Sequence, residues 1–282
     1  MRYGLSMASA GAYGDARTLG ELAHLAEESG WDGVFLEDYI IHWGEDHSTY
    51  DPWIALAAMA LRTERITLGI TVTPLSRRRP WKLAREALTL DHLSHGRFVL
   101  GVGIGNGSDT DFVDFGEVTV TKQRAGMVDE ALDIIAGLWS GEPFSYQGEH
   151  YQIQDVTFLP KPVQQPRIPI WVGGGYPLPG PLERAARWDG SCMYKFTGGG
   201  PWQDMTPEDI RSLRAFVDER RGPATPFEIT VGGRERGEDW EQDRAHIAAV
   251  AEAGATWWGE HIVPGDLDVM RATIARGPLR AN

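Results

Sequence analysis

"VLGVGIGNGSD", residues 99–109, sets four glycines at every second position after an apolar start. A dinucleotide-binding turn requires G-x-G-x-x-G, and neither frame supplies it, because the last place falls on Asn106 or on Ser108. The stretch reads instead as a buried strand whose end is free of side chains, as occurs where backbone approaches a ligand or a neighbouring element closely. Working outward on both sides, short apolar strands alternate with amphipathic helices. The expected strands are residues 3–7, 33–38, 66–74, 97–105, 169–174, 190–195, 227–233 and 256–262. Helix signals lie between them: Asp51-Pro52 and Thr206-Pro207 open helices, Pro80 opens another and Gly96 closes it.

Eight strand-helix units with strands apolar on both faces predict an α/β fold, a single (β/α)8 TIM barrel spanning 1–282 as one domain. Two insertions follow the fourth strand. "DTDFVDFGEVTVTK" (109–122) is placed over the barrel mouth, and "EPFSYQGEHYQIQDVTFLP" (142–160) reads as a hairpin. In such barrels the site lies at the carboxyl ends of the strands, so Gly103, Gly105, Asn106 and Gly107 either line it or serve only tight barrel packing.

Composition narrows the partners. The 282-residue chain carries a formal net charge of −13, which opposes binding to nucleic acid or anionic lipid. Its one cysteine, Cys192, lies in no metal-binding pattern and fits a reducing cytoplasm. "MASA" (7–10) follows no apolar segment of signal-peptide length, and "WIALAAMAL" (53–61) is about half a membrane span, so neither export nor membrane insertion is expected.

"GWDGVFLED" (30–38), the run from Arg62 to Gly105, residues 138–175 and "AARWDG" (185–190) resemble the bacterial luciferase-like oxidoreductases, a family of FMN-dependent monooxygenases and deazaflavin (coenzyme F420)-dependent enzymes. The likeness is collinear over about the first two thirds of the chain and weak beyond residue 190. It implies the barrel drawn above, with FMN, or alternatively F420, at its carboxyl end. It further implies a non-proline cis peptide behind the cofactor ring, matched here by Thr71-Val72, and a phosphate-binding loop matched by Gly173, Gly174 and Gly175. Lys195 and Arg234, each ending a strand, are candidate charge partners for the phosphate, with a solvated surface role as the alternative.

The loop "LEDYIIHWGEDH" (36–47) gathers Glu37, Asp38, Tyr39, His42, Trp43 and His47. In the F420-dependent sugar dehydrogenase branch an Asp-His pair is followed by a Trp four residues later, and a Glu follows the glycines of the fourth strand. The matching positions here are Asp38, Tyr39, Trp43 and Asn106, so the histidine and the glutamate are both missing. That departure argues against alcohol oxidation of that kind. Oxygen chemistry on a reduced flavin asks mainly for exclusion of water, orientation of substrate and one or two hydrogen bonds. Trp43, Trp171, Trp257 and Trp258 are candidate walls, although the adjacent Trp257 and Trp258 must point to opposite sides of their strand. Tyr39 and His42 are the candidate proton-handling groups, with Trp43 closing the pocket. A metal site at His42, Asp46 and His47 is the weaker alternative, because no other strand end offers matching histidines.

The leading expectation is therefore an FMN-dependent monooxygenase acting on a small organic molecule. A separate flavin reductase would supply it, since no dinucleotide fingerprint is present. An F420-dependent reductase and a non-catalytic flavin-binding protein are the alternatives. The resemblance also implies a homodimer formed through helices beside the barrel.

Overall fold

The structure, a computed structural model, describes residues 1–42, 48–198 and 203–281. Its first half runs β1 (Arg2–Ala8), α1 (Ala16–Glu28), β2 (Gly33–Glu37), α2 (Pro52–Arg62), β3 (Thr67–Pro74), α3 (Pro80–Leu93) and β4 (Phe98–Gly103). There follow α4 (Thr110–Val113), α5 (Thr121–Trp139) and the strands β5 (Phe144–Gln147) and β6 (Gln152–Val156). The second half is β7 (Ile170–Tyr176), α6 (Pro179–Ala185), β8 (Gly190–Lys195), α7 (Pro207–Arg221), β9 (Glu228–Arg234), α8 (Trp240–Glu252), β10 (Trp257–Ile262) and α9 (Leu267–Ala275). Eight parallel strands close in the order β1-β2-β3-β4-β7-β8-β9-β10, and β10 pairs with β1. β5 and β6 form a separate antiparallel pair outside the barrel.

The helix starts follow their local chemistry. Asp51 accepts from Trp53 N and Ile54 N with Pro52 in the first turn, and Thr206 forms a reciprocal capping box with Asp209. At the far end of α1 the buried Glu27 accepts the backbone N–H groups of Glu64, Arg65 and Ile66, so one side chain fixes where the chain enters β3. Burial pushes its carboxyl up, but the three backbone donors outweigh this and leave it below the usual range.

Within the barrel, Phe35, Val99, Trp171 and Trp257 form a plug. The Phe35 and Trp171 ring centroids are 5.4 Å apart, and those of Trp171 and Trp257 are 5.7 Å apart. Glycines on β1, β2 and β3 make room for these rings: a Cβ on Gly4 would stand 2.8 Å from Phe35, one on Gly69 2.9 Å from it, and one on Gly33 2.8 Å from both Phe35 and Trp257. Trp258 takes the outer face and packs on His246 of α8, so the two neighbours divide between the two sides of β10 as alternation requires.

Two strand ends differ from expectation by two residues, and the others by at most one. β4 stops at Gly103 because Gly105 turns into the left-handed region at φ 69°, which ends the ladder before the expected residue 105. β7 runs two residues beyond the expected 174, because Gly175 and Tyr176 keep register with Tyr194 and Lys195. Both insertions lie after β4. Glu130 of α5 accepts from the backbone of Glu149, His150 and Tyr151 and so pins the turn of the β5-β6 hairpin.

Candidate active site

The carboxyl end of β2 divides its side chains by alternation. Phe35 enters the plug, Glu37 two residues on also lies at the barrel mouth, and Asp38 enters a polar network. The buried Asp38 accepts from Trp53 Nε1 at 3.2 Å and from the Thr73 hydroxyl, and it pairs with Arg77 and Arg78. Arg77 also pairs with Asp111 of α4, whose other contacts are the backbone N–H groups of Ile40 (2.9 Å) and Ile41 (2.8 Å). The first insertion is thereby tied to the loop after β2. Since every member has several partners, the network bears the cost of burying charge.

A cavity of about 620 Å³ opens above this network. Its floor contains Thr71 and Val72, where β3 bulges against β4 and the Thr71-Val72 peptide is cis. Val72 sits between two bare strand ends: an added Cβ would stand 2.9 Å from its side chain on Gly103 and 2.6 Å on Gly173. The glycines of β4 therefore have separate uses. Gly101 admits the Ile70 carbonyl across the β3-β4 seam, whereas Gly103 and Gly105 line the cavity and Gly107 accommodates Arg124. Gly173, Gly174 and Gly175 form the opposite wall with Gly180 and Pro181, and Phe112 and Thr121 come over from the insertion.

A second cavity of about 390 Å³ lies beside the first. It is lined from β1, β8, β9 and β10 by Ser6, Tyr194, Thr230, Trp257 and His261 among others. Glu37, Tyr39, Thr71 and Tyr194 belong to both cavities, which makes Glu37 a carboxyl on their shared boundary. Its Oε2 is buried without a hydrogen-bond partner among the described residues, and its Oε1 lies 4.0 Å from His261 Nδ1. Burial pushes the carboxyl up to about 7 and lowers the His261 imidazole, on which Glu235 acts in the opposite sense.

Of the residues singled out from the sequence, Tyr39, Thr71, Val72, Gly103, Gly105, Asn106 and Gly173–Gly175 come together at the cavity. Asn106 donates to Asp109 at 2.7 Å and so braces the start of the insertion. His42 is buried behind Tyr39, with ring centroids 5.3 Å apart, and lines neither cavity. Trp43, Asp46 and His47 lie outside the described residues. Lys195 and Arg234, the expected phosphate partners, are held by carboxylates instead. Lys195 is 2.7 Å from Asp209, Arg234 bridges Asp204 and Asp243, and neither lines the 620 Å³ cavity. The cations in its wall are Arg77 and Arg184, the latter held bidentately by Asp129 at 2.7 and 2.9 Å. Of the expected tryptophan walls, Trp171 is in the plug and does not line the large cavity. The sequence reading gathers Glu37 at the β2 loop without giving it a role, and it does not single out Arg77, Arg184, Tyr194 or His261. For Glu37 a signal existed, since it follows the apolar Phe35 at the two-residue period of an inward face.

The comparisons agree with this architecture. A curated F420-dependent glucose-6-phosphate dehydrogenase of Microbacterium testaceum (strain StLB037) is 38% identical over 157 residues, which is 54% of this chain and 45% of that protein. The chain spans about half the length of the curated relatives it matches. Among solved structures, an F420-dependent secondary alcohol dehydrogenase in complex with an F420-acetone adduct superposes with a TM-score of 0.79 at 16% identity, over 100% of this chain and 99% of that one. A monooxygenase from Streptomyces bottropensis gives 0.74 at 22% identity, over 97% and 96%. At such identities these two speak to the fold. The family model for luciferase-like monooxygenases matches residues 3–234, which takes in the β2 loop, the Thr71-Val72 bulge and the glycines of β4 and β7. The chain belongs to the luciferase-like monooxygenase family.

Proposed function

We propose that this chain is an oxidoreductase that holds a flavin-type cofactor, the deazaflavin F420 ahead of FMN, and acts on a small organic substrate. The observation that carries this is the Val72 side chain between the bare strand ends Gly103 and Gly173, at the floor of a cavity of about 620 Å³. A flat ring can lie against such a surface, and any side chain on either glycine would fill it. The residues present therefore fit the group. Val72 and Thr71 would back the ring, and the Gly173–Gly175 backbone with Arg184 would hold the phosphate-bearing arm.

When bound, F420 supplies hydride transfer and reduced FMN supplies oxygen activation. The chain contributes the rest. Arg77, Asp38 and Asp111 hold the insertion over the mouth, Phe112 and Tyr39 would exclude water, and Tyr39 and Tyr194 line the boundary of the two cavities. F420 is placed first because curated relatives at 34–38% identity are named as F420-dependent enzymes. The monooxygenase reading with FMN, supplied by a separate reductase, is favoured by the apolar wall of Val72, Pro74, Ile104, Phe112 and Leu178, which suits a dry site. Among the described residues no helix is long and apolar enough to cross a membrane. A cytoplasmic location, a homodimer and the lack of membrane or nucleic-acid partners belong to the same proposal, motivated by the net charge of −13 and by the family likeness.

Anaerobic titration with F420, FMN and reduced FMN, followed by calorimetry and fluorescence, tests the assignment. Selective binding of F420 is expected. Selective binding of reduced FMN would move the chain to the monooxygenase reading, and binding of none of the three would remove both.

A further inference from the structure

The smaller cavity differs in chemistry from the larger one. Its lining from β1, β2, β8, β9 and β10 contains no lysine or arginine among the described residues, and its one carboxyl is Glu37. The ionisable groups that face this carboxyl are Tyr13 beyond β1, Tyr39 on the loop after β2, Cys192 and Tyr194 on β8, and His261 on β10. None of them is a hydrogen-bonding partner of Oε2. The cations of the adjoining wall are already paired, Arg77 with Asp38 and Asp111 and Arg184 with Asp129. The Glu37 side chain lines both cavities and is partly exposed, while Oε2 is occluded without a protein donor, so a ligand in either cavity reaches a carboxyl that no cation already holds.

We propose that Glu37 is a catalytic residue of this cleft, the carboxyl that exchanges a proton with the oxygen of an uncharged alcohol or carbonyl substrate seated between β1, β8, β9 and β10. The inference rests on the oxidoreductase reading above. In the oxidising direction the substrate O–H bond breaks, its proton passes to the Glu37 carboxylate, and the oxygen's electron pair forms the carbonyl. The hydrogen on carbon leaves with its two electrons for the hydride acceptor named under that reading, and reduction reverses both transfers. Burial supports the role, since a carboxyl pushed up to about 7 is populated in both forms near neutral pH. His261 across the cleft, with its imidazole lowered by burial, receives or returns the proton from the solvent side. Asp38, the neighbouring carboxylate, is not available, because four protein partners already hold it. The same charge pattern selects the substrate class: a phosphate ester would bring two negative charges to Glu37 with no free cation facing it among the described residues.

Infrared difference titration of the protein without cofactor, comparing wild type with Glu37→Gln, gives a readout independent of turnover. A protonated-carboxyl band that titrates near neutral pH is expected in wild type and absent from the variant. Secondary alcohols from 2-propanol to 2-octanol should shift that band, and glucose 6-phosphate should not. Absence of the band, or a band that no alcohol moves, would overturn the proposal. With F420, Glu37→Gln should keep cofactor affinity within about threefold, lose at least about 10²-fold in kcat on the alcohol that shifts the band most, and lose the pH dependence near 7, while Glu37→Asp recovers part of the rate. Full turnover by Glu37→Gln would also overturn it. If wild type binds neither F420 nor FMN, the oxidoreductase reading fails, and this is seen separately from the carboxyl titration.

Discussion

Arg77 Nη1 lies 2.6 Å from Asp111 Oδ2, with the two side chains only 4% and 3% exposed. The contact joins the end of β3 to the insertion after β4, and Asp111 also holds the backbone of Ile40 and Ile41. Replacing Asp111 by Ala would leave a buried guanidinium short of one partner and two N–H groups without acceptors. A stability loss of about 3 kcal/mol is expected in urea unfolding, the usual scale for breaking a buried pair. A loss under about 1 kcal/mol would mean that solvent already reaches the network.

The glycine wall offers a cleaner probe than its central residue. Gly174 sits at φ 153°, and an added Cβ would meet Pro181 at 2.7 Å, so substitution there disturbs the fold as well as the cavity. Gly180 lines the same cavity and has nothing within 4 Å of an added Cβ. Gly180→Asp should fold with an unchanged melting temperature and weaken a phosphate-bearing cofactor by at least about tenfold, roughly 1.4 kcal/mol. Undiminished affinity would take the phosphate away from this wall.

Much of this architecture is legible in the residue pattern because it depends on local rules. Asp51-Pro52 and Thr206-Pro207 start helices by satisfying nearby N–H groups, and alternation separates Trp257 from Trp258 without reference to the rest of the chain. The charge partners are harder to read, because Lys195 and Arg234 depend on Asp209, Asp204 and Asp243, which a linear pattern does not bring near them. Glu37 is intermediate. Its inward face follows from Phe35, but its raised carboxyl depends on burial once the seven other strand ends have closed around the mouth.

Glu37 should also be visible in stability. Its carboxyl, near 4.5 unfolded and about 7 folded, binds more protons in the native state between those values. The folded protein is therefore favoured below the lower value, and this advantage is lost as pH rises through the interval. Glu37→Gln removes the ionisation, so relative to wild type the variant should gain of order 2 kcal/mol at pH 8 and little at pH 4. Paired urea unfolding at the two pH values measures the difference. Equal effects at both would show that the carboxyl is well solvated.

The last prediction decides which cation meets the cofactor phosphate. Arg234 bridges Asp204 and Asp243, and the second of these also accepts from Gly237 N. Arg234→Gln should therefore cost about 1 kcal/mol of stability, the usual net worth of a polar contact, and leave the cofactor Kd within about threefold. Lys195→Ala should leave Kd equally unmoved, because Asp209 keeps its capping contacts with Thr206 when the amine is gone. Arg184 is different, since its guanidinium is fixed by Asp129 in the wall that also contains Gly173–Gly175 and Gly180. A phosphate at that wall gains from a cation already held in place, so Arg184→Gln should raise Kd by about tenfold, within the range of charge-assisted hydrogen bonds. The reverse ranking, with Lys195 or Arg234 dominant and Arg184 silent, would place the phosphate on the β8-β9 side of the mouth and turn the cofactor around within the barrel.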